Sequence, residues 1–196
     1  MTRSVLLVDP DAERQQRIAR HLDGTEFRLA AIATGPEEAL RLAATASPDV
    51  ALVVAPLGNG AGMLVADRLP KEHGVPVVLL APAGLVPSST HLVSQVGVMG
   101  YLVEPVPSAT LLATLKVAVC RFQDFRVLQQ EGEALRQSIE ARKVIERAKG
   151  LLMEVGRLSE REAYARIRRK SMDMQRPMME IARAIILSAE MSLKPG

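Results

Sequence analysis

Along residues 1–121 the hydrophobic positions switch between two periods. Val5-Leu6-Leu7-Val8 is an unbroken apolar run, as expected for a strand buried on both faces. Residues 11–22 then place Ala12, Ile18, Ala19 and Leu22 among charges, a helical spacing. Phe27–Ala33 is strand-like, and Pro36 opens a helical stripe through Ala39, Leu40, Leu42 and Ala43. The cycle repeats with a strand at Val50–Val54, a helix at Met63–Leu69 and a strand at Val75–Ala81. A looser helix at Ser88–Val96 and a short strand at Tyr101–Val103 complete it. Strands alternating with helices predict an α/β domain, a five-stranded parallel sheet with helices on both faces. In such folds function gathers at the carboxyl ends of the strands.

From Ser108 to Val155 there is no proline and only Gly132 and Gly150. This predicts one long helix or two abutting ones. Phe125, Leu128, Gly132, Leu135 and Ile139 recur at spacings of three and four, a short heptad seam. Phe125, Leu128, Leu135 and Ile139 are the expected dimer contacts of a coiled coil; a helix packing on its own domain would give the same pattern. Further on, Val144, Ile145, Ala148, Leu151, Leu152 and Val155 share one helical face, and Gly156 is placed to end that helix in a left-handed conformation. Ser159 and Glu162 form a capping box. Ala163, Tyr164, Ile167 and Ser171 follow as the inner face of a second helix. Pro177 suits the first turn of a third, with Met178, Ile181, Ala182, Ile185 and Ala189 facing in. The organisation is residues 1–121, a linker helix over 122–141, and a three-helix module over 142–196.

Charge changes this picture locally. Residues 1–135 hold 11 Lys and Arg against 14 Asp and Glu, whereas residues 136–170 hold 11 against 5. Arg166, Arg169 and Lys170 share a face of the second helix, Arg161 and Arg168 a neighbouring one, and Arg147 and Lys149 project from the first. Gly150 leaves room beside Lys149 for another backbone or for close helix packing. Arginine forks onto phosphate and stacks on bases, so this cluster suits a nucleic acid, although an ordinary solvated face has the same composition. Tyr164, on the apolar stripe, reads as core before it reads as a stacking platform. Composition narrows the rest. Cys120 is the only cysteine, which excludes intrachain disulfides and fits a reducing cytoplasm. There is no signal-like N-terminus or long apolar run, hence no expected membrane association. His21, His73 and His91 lie in separate segments, and Ser88 and Ser89 lack a base. No metal site, cofactor or enzymatic activity is expected.

Two stretches carry a specific resemblance. Ile145-Glu146-Arg147-Ala148-Lys149-Gly150-Leu151-Leu152-Met153, followed by Leu158-Ser159-Glu160-Arg161-Glu162-Ala163-Tyr164, resembles the ANTAR domain, the RNA-binding module of the AmiR and NasT antitermination regulators. The likeness covers roughly residues 136–190, and the NasT branch is the nearer one. It implies binding to paired hairpins in a nascent leader mRNA and read-through by the RNA polymerase elongation complex, with nitrate or nitrite assimilation genes as targets. The expected RNA-binding residues are Arg147, Lys149, Gly150, Arg161, Arg166, Arg168, Arg169 and Lys170.

Residues 1–121 resemble a response-regulator receiver, a flavodoxin-like (CheY-like) fold, with its chemistry removed. Such domains hold Mg²⁺ on an acidic pair, accept phosphate on an aspartate ending the third strand, and read it with a hydroxyl and a lysine. Here Asp9 matches the first acid, Pro10 takes the second place, and Asp11 comes one residue late. Val54 stands at the phosphoacceptor position, Ala81 at the hydroxyl position and Glu104 at the lysine position, with Tyr101 at an aromatic switch position. No Asp or Glu lies between Asp49 and Asp67, so a register slip restores nothing. Asp9 and Glu104 are expected as solvated carboxylates, or else as a shared cation site. The resemblance therefore implies a pseudo-receiver without a phosphoacceptor. It also implies a homodimer sequestered by a periplasmic-binding-protein-like cytoplasmic sensor. A DNA-binding regulator with a helix-turn-helix-like module, and an adaptor for acidic proteins, are the alternatives.

Overall fold

The computed structural model describes residues 2–54, 61–83 and 98–192. The chain divides into two units, Met1–Arg126 and Val127–Gly196. In the first, strands β1 (Arg3–Val8), β2 (Phe27–Ala33), β3 (Val50–Val54), β4 (Val77–Ala81) and β5 (Val98–Val103) form one sheet among the described residues. The order is β2-β1-β3-β4-β5 and every pairing is parallel. This is the doubly wound arrangement that the alternating periods predict.

Side chains on a strand alternate between faces, and the core divides accordingly. Val5, Leu7 and Leu52 lie on one side with Ile18 and Leu22 of helix α1 (Ala12–Leu22) and Leu111, Leu115 and Val119. The last three come from helix α4 (Ser108–Gly156). Leu6, Val8, Ala51 and Val53 lie on the other side with Ala39 and Ala43 of α2 (Pro36–Ala46) and Val65 and Ala66 of α3 (Ala61–Arg68). Helix α3 runs into a π-helical segment, Leu69–His73. The helix expected at Ser88–Val96 lies outside the described residues. Asp49 links the start of β3 to β1, accepting from the Ser4 N–H at 2.6 Å and from its hydroxyl at 2.8 Å.

Of the two readings left open for residues 108–155, the structure takes the first: α4 is one continuous helix of 49 residues. Its C-terminal part joins α5 (Glu160–Met174) and α6 (Met178–Ser192) in the second unit. Ala148, Ala163, Ile167, Ile181 and Ala182 are buried there, flanked by Val144, Ile145, Leu152, Met178 and Ile185. Three expectations for this unit change. Gly156 stays within α4, and the left-handed residue is Arg157, with φ 51°. Val155, beside the helix end, is 74% exposed rather than inward. Tyr164 is also outside the core, at 45% exposure, because Ala163 and Ile167 fill the inner stripe of α5 and leave position 164 beyond its edge.

Candidate nucleic-acid interface and receiver pocket

Helix α5 begins where the sequence places its capping box. The Glu162 carboxylate accepts from the Ser159 N–H at 2.9 Å and from its hydroxyl at 2.6 Å, while the Ser159 hydroxyl accepts from the Glu162 N–H. The Ser159 bonds hold the Glu162 carboxyl below its usual range. Two donors that the first turn leaves unsatisfied thereby gain partners. The cap, with Ala163 and Ile167 buried, fixes the rotation of α5. Arg161, Arg166, Arg168, Arg169 and Lys170 all fall on its exposed surface.

None of these five cations forms an ion pair among the described residues. The two cations of α4 stand differently. The Lys149 ammonium donates to Glu160 at 2.7 Å and to Glu146 at 2.9 and 3.0 Å, and the residue is only 6% exposed. These two carboxylates, Glu160 first, raise the Lys149 pKa. Lys149 therefore ties α4 to the first turn of α5 instead of presenting its charge to solvent. Arg147 pairs with Glu190 of α6 at 2.8 Å with both side chains exposed, so it exchanges readily with solvent or an outside anion. At Gly150 a Cβ would meet nothing within 4 Å. Among the described residues no backbone approaches this glycine closely. An open groove of about 1230 Å³ runs between these helices. Its apolar lining includes Leu151, Leu152 and Ile185, and Arg166, Arg169 and Lys170 line it from α5.

The receiver pocket is closed by a side chain that the motif comparison overlooks. Arg14 reaches back from the first turn of α1 and forks onto Asp9. Its Nε donates to Oδ2 at 2.7 Å and one terminal nitrogen donates to Oδ1 at 2.9 Å. The other terminal nitrogen reaches Glu104 Oε2 at 3.4 Å, and Arg17 donates to Glu104 Oε1 at 2.8 Å. Asp9 is fully buried and also accepts from the Asp11 N–H at 2.9 Å. Asp9 and Glu104 are thus not solvated carboxylates; the cation they share is a guanidinium. Asp11 is the N-cap of α1, accepting from the Glu13 and Arg14 N–H groups, and the Arg14 bond leads in lowering its pKa. Val54 and Ala81 are buried at the ends of β3 and β4. Tyr101 is half-buried against the sheet, its hydroxyl without a partner among the described residues and its pKa raised by burial.

These residues do not fit the divalent cation of a working receiver, because a bidentate guanidinium takes both Asp9 oxygens. Among the described residues no cluster of His, Cys, Asp or Glu could hold a metal ion, and no helix is long and apolar enough to cross a membrane. The spacing of the acids was legible in the sequence. Arg14 carries a weaker sequence signal, a cation five residues after an acid that closes an apolar strand. Glu160 is harder to find, since it reaches Lys149 from another helix.

Comparison with known proteins agrees with both halves. Residues 133–186 match the ANTAR domain. The chain is 28% identical over 187 residues to the transcriptional regulatory protein PdtaR of Mycobacterium tuberculosis (strain CDC 1551 / Oshkosh), a match covering 94% of this chain and 89% of that protein. It is 37% identical over 68 residues to the nitrate regulatory protein of Klebsiella oxytoca, covering 34% of this chain and 17% of that protein. The signal receiver domain of a modulated diguanylate cyclase from Desulfovibrio desulfuricans G20 shares the fold. Its TM-score is 0.55 at 24% identity, over 63% of this chain and 98% of that one. Residues 133–186 thus match the ANTAR domain, and the N-terminal unit shares the receiver fold with a valine, Val54, ending its third strand.

Proposed function

We propose that this protein is an RNA-binding transcription antitermination regulator. It binds hairpins in a nascent leader mRNA and lets the RNA polymerase elongation complex pass a terminator. The observation that carries the proposal is the set of five exposed cations on α5, without ion pairs among the described residues, inside the segment that matches the ANTAR domain. Cations already held by carboxylates would lose those pairs before meeting phosphate; these lose nothing. RNA is favoured over DNA on the resemblance to the antitermination family, since arginines alone do not distinguish the two. The likeness to a nitrate regulatory protein supports nitrate or nitrite assimilation genes as targets.

Control runs through a protein contact and not through a phosphate. Val54 offers no oxygen to phosphorylate, and Arg14 keeps the acidic pocket neutralised without a metal. A cytoplasmic, periplasmic-binding-protein-like sensor that sequesters the regulator fits these features, with a homodimer joined through α4 as the form released.

The test is competitive binding of the full chain to leader RNA carrying paired hairpins and to the matching DNA duplex. RNA should win, and its affinity should fall on the order of 100-fold between about 50 and 200 mM salt if four or five phosphates are neutralised. Preference for the duplex would reject the antitermination reading in favour of a DNA-binding regulator. Salt-insensitive binding would reject the basic face of α5 as the interface.

A further inference from the structure

The face of α5 turned away from the groove combines an aromatic ring with two cations. Tyr164 is the one aromatic residue in Val127–Gly196. Phe27 and Phe122 are buried, and Phe125 stacks on Phe122 at 6.3 Å. Tyr164 alone among the aromatics lies nearly half in solvent. Among the described residues its ring makes no aromatic or cation contact, and its hydroxyl has no hydrogen bond. Arg161 lies three residues before it and Arg168 four residues after it, so both share its side of the helix. Neither guanidinium is held by a carboxylate.

We infer that Tyr164 is a stacking platform for one unpaired RNA base, with Arg161 and Arg168 gripping phosphates on either side of it. This rests on the RNA-binding reading and deepens it by naming the class of nucleotide and the residue that meets it. A ring nearly half in solvent leaves apolar surface in water that a stacked base would cover. Stacking on an aromatic tolerates any base, because every base has a π-face. A paired nucleotide cannot use the platform, since its faces are covered by its neighbours in the duplex. The site therefore takes a nucleotide from a loop or bulge, where bases are free to splay out. Arg161 and Arg168 sit two turns apart, about 10 Å along the axis, with position 164 between them on the same side of the helix. The site thus selects single-stranded over paired RNA, while Arg166, Arg169 and Lys170 on the neighbouring face supply charge without that selection.

The experiment uses the full chain and a pool of RNA hairpins with short randomised loops containing 4-thiouridine, beside the same stems closed as blunt duplexes. The hairpins should photocrosslink to the peptide containing Tyr164, and the blunt duplexes should compete poorly. Tyr164→Phe should keep affinity. Tyr164→Leu, which keeps apolar bulk, and Tyr164→Ala should each weaken hairpin binding about ten-fold, the size of one base stack. Far-UV circular dichroism should be unchanged in all three. Loop affinity unchanged in Tyr164→Leu and Tyr164→Ala, while Arg169→Ala binds more weakly, would overturn the platform and leave RNA binding standing. Absence of any hairpin binding by the unaltered chain would overturn both. Equal competition by blunt duplexes would overturn the single-strand preference.

Discussion

At the residue scale, two side chains act differently from what their type suggests. Arg14 looks like a helix-surface cation, but only 13% of its side chain is exposed and Asp9 is completely buried. Removing one partner of such a pair strands the other charge away from water, which typically costs about 3–5 kcal/mol. Arg14→Ala should therefore lower the unfolding free energy of the N-terminal unit by about that much, read as a lower denaturant midpoint at unchanged slope, and Asp9→Asn in the same chain should recover part of the loss. An unchanged midpoint would mean that Asp9 is not dependent on Arg14. Lys149 looks like a phosphate ligand, and its hydrogen bonds to Glu146 and Glu160 make it a strut between α4 and α5. Lys149→Met should loosen the helical module, seen as faster amide exchange at the start of α5, and Arg169→Ala should weaken RNA binding with exchange unaffected. The lysine and the motif around it are plain in the sequence. Its role is not, because Glu146 lies one turn away along the same helix whereas Glu160 is brought to it only by the chain reversal after Gly156.

At the element scale, the parallel sheet and the capped second helix were legible because their signals are local. Apolar runs of four or five residues specify doubly covered strands, and Ser159 with Glu162 specifies a helix start. The outward turn of Tyr164 was not legible, since a position at the edge of an apolar stripe is decided by which neighbours fill the core first. The cap has a consequence for acid stability. Glu162 and Glu160 are both held below the usual glutamate value of 4.5, Glu162 by Ser159 and Glu160 by Lys149. Depressed carboxyl pKa values give stability that is complete above the unfolded value and is lost as pH falls through the folded one. Titration below pH 4.5 should thus release α5, followed by circular dichroism, and Glu162→Gln should remove part of that acid dependence. A transition that is unaltered in Glu162→Gln would show that the cap does not couple to protons.

The exposed stretch of α4 calls for a different argument. Leu128, Leu135 and Ile139 are 66%, 63% and 49% exposed. A single helix with solvent on every side lacks the tertiary packing that supports most protein helices. With Phe125, Gly132 and Ile139 at a positions and Leu128 and Leu135 at d, Glu131 falls at g and Arg136 at e, the positions that carry interhelical salt bridges in a parallel coiled coil. Leu128→Glu with Leu135→Glu should convert a dimer to a monomer in sedimentation equilibrium. A native chain that sediments as a monomer at high concentration would sink the coiled-coil reading.

At the scale of the whole molecule, the question is what a receiver-fold unit transmits if, as proposed, it is not driven by phosphate. A working receiver couples charge gained at the end of β3 to a rearrangement read elsewhere in the domain. Here the corresponding position is a buried valine, the hydroxyl position is an alanine, and Glu104 would repel a phosphoryl group that a lysine would hold. The pocket is further occupied by Arg14, and its acids are committed to Arg14 and Arg17. The unit retains the sheet, the helices and the connection into α4, and under the proposed function binding of another protein is the input that shifts its equilibrium. Such an input needs only a difference in affinity between the masked and released forms. Treatment of the full chain with acetyl phosphate and Mg²⁺ should therefore leave its mass, its oligomeric state and its affinity for leader RNA unchanged. Stoichiometric acid-labile phosphate accompanied by tighter RNA binding would overturn the degenerate-receiver reading. Labelling at a scattered residue without a change in RNA affinity would leave it intact, because a phosphate that shifts no population carries no signal.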